Sequence, residues 1–178
     1  MRRSRHTRRC FLLGSLPTIP ALAAKPRRIR LSFPATGESV VAELLEREAP
    51  AVCDFIWSIL PVEHKTIHGM YSGAEVFVLI DKPKPAPREN EVQMPLPGEI
   101  LYFYDDGKKV STGEETGEIC FIYGRGVTLR QSEGVPTFAR LFARVPGDWT
   151  KDWVEFAKAC RSVRWDGPRT MRIERVPE

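Results

Sequence analysis

Apolar and polar residues alternate through Ile29-Arg30-Leu31-Ser32-Phe33 and again from Val40 to Leu45, with Ala35-Thr36-Gly37-Glu38 between them as turn material. Alternation with period two predicts two half-buried strands joined as a hairpin. The spacing then changes. Val52, Cys53, Ile56, Trp57 and Leu60 recur at helical intervals, Pro50 is tolerable in a first turn and Pro61 ends the run, which predicts a helix over 48–60. A strand around 66–71 and a turn at Tyr71-Ser72-Gly73-Ala74 lead into Val76-Phe77-Val78-Leu79-Ile80. That run has no alternation at all, so it predicts a strand buried on both faces.

Five of the fifteen prolines fall within 81–98; they fix the backbone and remove donors, which predicts a long extended loop. Ile100 to Tyr104 and Ile119 to Tyr123 return to strand composition on either side of a charged, glycine-containing excursion over 105–117. Residues 138–145 fit either period, and we assign them to a strand. Trp149, Trp153, Phe156, Ala157 and Cys160 form one apolar stripe behind Asp148, predicting a second helix capped by that aspartate, with both tryptophans in the core. Thr170 to Glu174 alternates again and predicts a closing strand. Seven or eight strands with two helices among them make a mainly β fold: a closed barrel of about eight strands, each opening covered by a helix, because closure removes sheet edges.

The first 24 residues read differently. Arg8-Arg9 stands before the apolar run starting at Phe11, and Ala21-Leu22-Ala23 places small residues where a peptidase would cut. This is the order of a twin-arginine signal peptide, too short and too proline-broken to span a membrane. The expected organisation is a signal over 1–24 and one barrel domain over 25–178, exported by the twin-arginine machinery to the periplasm or beyond, with no membrane span in the mature chain. Five arginines lie in the signal, leaving 22 basic against 23 acidic side chains, a net of −1. The basic pI then belongs to the signal, and nucleic acid is not an expected partner. Cys53, Cys120 and Cys160 remain, all in apolar surroundings, as structural thiols.

No nucleophile elbow, phosphate-cradling loop or clustered metal ligands can be found. His64 and His68 are four apart, but on a strand that spacing separates them by about 13 Å, so no metal site and no cofactor are expected. Glu75, Glu89, Asn90, Glu91 and Glu99 read as solvated loop or strand-flanking groups. Tyr71, Tyr102, Tyr104 and Tyr123 fit either a groove or the barrel wall.

Two segments resemble cyclophilins: Glu48-Ala49-Pro50-Ala51-Val52-Cys53-Asp54-Phe55 is similar to their first helix, and Glu118-Ile119-Cys120-Phe121-Ile122 to their central Ser-Gln-Phe-Phe-Ile strand. A closer resemblance is to the bacterial cyclophilin-like domains of unknown function, through Ile67-His68-Gly69-Met70-Tyr71-Ser72-Gly73, Glu89-Asn90-Glu91, Pro95-Leu96-Pro97-Gly98-Glu99-Ile100-Leu101-Tyr102 and Val163-Arg164-Trp165-Asp166-Gly167. The resemblance also implies what is missing. Gly69 stands where active isomerases carry the arginine of Phe-His-Arg, and Ile119 where they carry glutamine; a rotating prolyl amide then lacks its positioned donor.

The expected function is accordingly the binding of a small molecule or peptide in the barrel groove, framed by His68, Tyr71, Ser72, Glu89, Asn90, Tyr102 and Phe121, without strong prolyl-isomerase activity. The alternatives are a divergent isomerase using Arg140 or Arg125, another enzyme centred on His68, or a structural partner in an envelope complex.

Overall fold

The computed structural model describes residues 25–108, 113–131 and 134–177. The signal expected over 1–24 lies outside them. Strands β1 (Arg28–Ser32) and β2 (Ser39–Leu44) form the opening hairpin, followed by helix α1 (Pro50–Ile59), β3 (Val62–His68), β4 (Glu75–Leu79), the two-residue β5 (Glu91–Val92), β6 (Glu99–Asp105), β7 (Thr116–Ile122), β8 (Ala139–Arg144), helix α2 (Val154–Asp166) and β9 (Thr170–Arg175). All pairings are antiparallel, in the order β2-β1-β9-β3-β4-β7-β6-β8. Leu44 opposite Ala143 returns β8 to β2. The result is a closed eight-stranded barrel, with β5 lying outside it against β8 through Glu91 opposite Arg140.

Closure works because each strand turns one set of alternate residues inward. Ile29 and Leu31, Val40 and Ala42, Val76 and Val78, Ile100 and Tyr102, Ile119 and Phe121, and Ile173 fill one core. The helices complete it. Helix α1 buries Val52, Cys53 and Ile56, and α2 buries Phe156, Ala157, Ala159, Cys160 and Val163. Phe156 lies 5.4 Å from Phe33 and 5.2 Å from Phe121, ring centre to ring centre. Cys53, Cys120 and Cys160 are free and buried.

Pro50 does open α1, but neither its start nor that of α2 carries a side-chain cap from its own cap residue. For α1 the service comes from afar: the Glu89 carboxylate accepts the N–H groups of Ala51 and Val52 at 3.0 and 3.2 Å. The second helix departs from the expected 149–160. Asp148 spends its carboxylate on a local turn, accepting from Thr150 N–H at 2.9 Å, while Asp152 reaches back to the Asp148 N–H at 2.7 Å. These side-chain bonds compete with helical geometry, and the helix begins only after Trp153 and runs on to Asp166.

On β4, β7, β6 and β8 the outward residues are also largely apolar. Leu101, Cys120, Ile122, Ala139 and Leu141 are buried together with Val127 and Leu129 from the segment between β7 and β8, with Phe77 and Phe103 packed against them. That segment lies across the barrel wall, tied down by Thr128 N–H to the Ser72 carbonyl at 3.1 Å and Leu129 N–H to the Gln93 carbonyl at 2.8 Å. The unbroken run Val76 to Ile80 thus has the physical basis its pattern implies: Val76 and Val78 face the barrel core, and Phe77 faces this second layer.

Candidate functional site

The second layer is incompletely filled. Between the wall and the covering segment lies a cavity of ≈ 440 Å³, with Phe77, Phe103, Cys120, Leu129 and Ala139 among its apolar lining. A volume of that size is in the range of small-molecule pockets. Its mouth is rimmed by Ile67, Met70 and Tyr71, which are 39%, 82% and 49% exposed.

Strand alternation places acids on the same wall. Glu75 on β4, Glu118 on β7 and Asp105 on β6 all line the cavity, because they share outward parity with Phe77, Cys120 and Phe103. Register fixes their spacing: Glu75 is opposite Ile122, Phe77 opposite Cys120 and Leu79 opposite Glu118. Cys120 therefore stands midway between the two glutamates. Its thiol points at Glu118 Oε2 from 3.8 Å, and burial, then the Glu75 and Glu118 carboxylates, push its pKa up.

The electrostatics of the three acids differ. Asp105 is 8% exposed but satisfied, accepting from Gly107 N–H at 2.7 Å and from Gln131 Nε2 at 2.8 Å. Glu75 is 5% exposed, and burial lifts its pKa above the usual carboxylate range against opposing bonds from Ser72 and Cys120. Burial, then the charges of Glu75 and Asp105, push Glu118 up to about 8, opposed by the Cys120 thiol. No described lysine, arginine or histidine lies within ion-pair distance of Glu75 or Glu118. Desolvation and mutual repulsion, with no cation to offset them, favour the neutral acid.

His68 also reaches the cavity. Its Nδ1 lies 2.9 Å from the Gly69 carbonyl and its Nε2 2.7 Å from the Tyr123 hydroxyl. A carbonyl only accepts, so Nδ1 carries the proton and Nε2 receives the one from Tyr123. Burial, with help from the Arg164 charge and against the Gly69 carbonyl, holds the imidazole pKa below its ordinary value. It is a neutral bridge at neutral pH. Behind it, Tyr123 opens onto a second cleft of ≈ 380 Å³ shared with Trp149 and with Lys158, Arg161 and Arg164 of α2.

Of the seven residues framed from sequence, His68, Tyr71 and Ser72 come together at this cavity. Ser72 is held by its hydroxyl, which accepts from Arg130 N–H at 3.1 Å. The other four lie elsewhere. Glu89 caps α1. Asn90, at φ 44°, donates from Nδ2 to the Leu141 carbonyl at 2.8 Å. Tyr102 has even parity on β6, so its ring sits in the barrel core and its hydroxyl donates to the Lys84 carbonyl at 2.6 Å, anchoring the proline-rich loop. Phe121 faces the core for the same reason, stacked edge-on to Trp153 at 5.5 Å. Arg140 engages Glu91 and the carbonyls of Ala86 and Pro87, and neither it nor Arg125 lines the cavity.

Sequence reasoning passed over Glu118, Asp105 and Cys120 and treated Glu75 as solvated. One signal pointed toward them: a strand apolar on both faces implies a covered outer wall, and charged residues at the ends of such strands are then candidates for that cover's underside. Gly69 is explained in the same place. A Cβ there would stand 2.7 Å from Glu75 Oε2, so glycine leaves room for the carboxylate.

A family model described as a protein of unknown function, DUF3830, matches residues 31–174. The chain belongs to that family. No curated protein matches it. Among solved structures it is similar to McbB in complex with tryptophan, at 19% identity and a TM-score of 0.62 over 84% of this chain. The chain spans only 45% of that protein's length, and the likeness is one of fold. It is also similar to the hypothetical protein AF2241 from Archaeoglobus fulgidus, at 16% identity and a TM-score of 0.47, covering 87% of this chain and 98% of the other. No helix among the described residues is long and apolar enough to cross a membrane.

Proposed function

We propose that this DUF3830 protein is an exported binding protein that holds a small molecule in the cavity on the outer wall of its barrel, between strands β4, β7 and β6 and the segment that crosses them. The observation that carries this reading is the combination in one ≈ 440 Å³ space of apolar walls with His68, Ser72, Glu75, Asp105 and Glu118. Apolar walls supply affinity, and a few fixed polar groups supply orientation. The McbB structure, similar in fold over part of its length, is in complex with tryptophan, which lends support to a compact ligand here. The twin arginines and the small residues at 21–23 support export.

Strong prolyl-isomerase activity is not part of the proposal. Where the cyclophilin resemblance would put a guanidinium, at Gly69, the neighbouring group is the Glu75 carboxylate. A negative group there opposes the donor that a twisted amide nitrogen needs. Two measurements test the whole reading. Protein recovered from the periplasm should release a small molecule on denaturation, seen by mass spectrometry, or take one up with amide NMR shifts confined to residues such as Phe77, Phe103 and Leu129. A prolyl-peptide assay at the rate of an active cyclophilin would sink it.

A further inference from the structure

We propose that the ligand is an amphiphilic amine, a compact apolar body bearing one protonated nitrogen that docks at Glu75 and Glu118. This rests on the cavity being the binding site and goes further by assigning the ligand's charge and shape.

The charge follows from what the lining lacks. Among the described residues four carboxylates line the cavity, on Glu75, Asp105, Glu114 and Glu118, against one guanidinium, on Arg130. That guanidinium is turned to the Gly134 carbonyl at 2.8 Å. His68 is spent between Gly69 and Tyr123, and Asp105 has two N–H donors of its own. Among the described residues Glu75, 5% exposed, meets only the Ser72 hydroxyl and the Cys120 thiol. Glu118, half-buried, has among the described residues only the thiol. Burying carboxylates without a cation is expensive, and such an arrangement persists where something else supplies the charge. An anionic ligand would find no cation among these groups, whereas a cationic one would draw Glu75 and Glu118 into their ionised form and supply the partner they lack.

The described residues contain no group of three or more His, Cys, Asp or Glu side chains placed to hold a metal ion, so an organic cation is the fitting partner. The nitrogen's hydrogen bonds would meet carboxylates from two adjacent strands. The body would then lie along Phe77, Phe103 and Leu129 and leave past Ile67, Met70 and Tyr71, whose exposed apolar surface suits a hydrocarbon or aromatic chain. Ammonium over an aromatic face adds a further increment.

Three probes with one body and different heads separate the possibilities: 4-phenylbutylamine, 4-phenylbutanol and 4-phenylbutyrate, titrated into the full chain at pH 7 with amide NMR and calorimetry as readouts. The amine should bind at least tenfold more tightly than the alcohol, with shifts at β4 and β7, and the carboxylate should not bind. Glu75→Gln with Glu118→Gln should erase the amine's advantage while leaving the melting temperature unchanged or higher, since the double variant removes uncompensated acids. If the alcohol or the carboxylate binds at the cavity as well as the amine, the charge assignment is overturned and the cavity reading survives. If none of the three shifts cavity resonances up to millimolar concentration, both fall.

Discussion

Strands β4, β7 and β6 have two faces built from neighbouring residues of the same short stretches, and the faces obey different rules. Inward, Val76, Val78, Ile119, Phe121, Ile100 and Tyr102 pack into the core, and among these six the polar tip, the Tyr102 hydroxyl, is bonded to Lys84. Outward, Phe77, Cys120, Leu101 and Phe103 share space with Glu75, Glu118 and Asp105 around an open volume. The inner face is filled, whereas the outer leaves a cavity. A protein interior that serves stability alone fills its space and pairs its charges; the outer layer does neither, and that contrast supports the proposal that it binds a ligand.

The contrast can be broken or sharpened by substitution, beginning with the largest effect. Phe121→Ala removes a ring that touches both Trp153 and Phe156 and should cost about 3–5 kcal/mol in urea unfolding. Phe77→Ala, two residues' breadth away on the other face and half-buried, should cost about 1–2 kcal/mol, because the loss merges with space already empty. Equal losses at the two positions would mean that the outer layer is as tightly packed as the core.

Glu118→Gln acts in the opposite direction. Its folded pKa is raised to about 8 by burial and by its acidic neighbours, above the unfolded value. The native state therefore binds more protons than the unfolded state between about pH 4.5 and 8, and stability falls as pH rises through that window. The glutamine variant should be more stable than the parent by about 1 kcal/mol at pH 8.5, with no gain at pH 4.5. Groups facing Glu118 across the cavity, namely Glu75, Asp105, Glu114, His68 and Arg130, set the background for this difference, and equal stability at both pH values would refute the uncompensated-charge description. Gly69→Ala is the mildest change: its Cβ meets the flexible end of Glu75, so the stability loss should stay under about 1 kcal/mol. Ligand affinity should drop at least tenfold as the carboxylate is displaced.

His68 offers a separate pH signature. Its folded pKa is depressed, chiefly by burial, so the stability it contributes is present above the unfolded value near 6.5 and is lost as pH falls through the folded one. The carboxylate effect and the imidazole effect have opposite slopes, and the Glu118→Gln variant should expose the second by removing the first.

Local pattern alone determined a good part of this protein. The opening hairpin, α1 with its proline start, the strand over 139–144, the closing strand and the barrel class follow from period and turn chemistry, because those signals are carried by neighbours in the chain. Helix α2 was displaced by side-chain bonds at Asp148 and Asp152 that spacing does not reveal. The site was decided by tertiary structure. Which face of β6 and β7 points inward moved Tyr102 and Phe121 into the core, and the β4–β7 register put Cys120 between Glu75 and Glu118. A carboxylate's cost depends on who shares its surroundings, and on these strands the partners come from segments far apart in the chain. Sequence could say that the wall was covered on both sides; only the closed barrel could say that the space under the cover is acidic and incompletely filled.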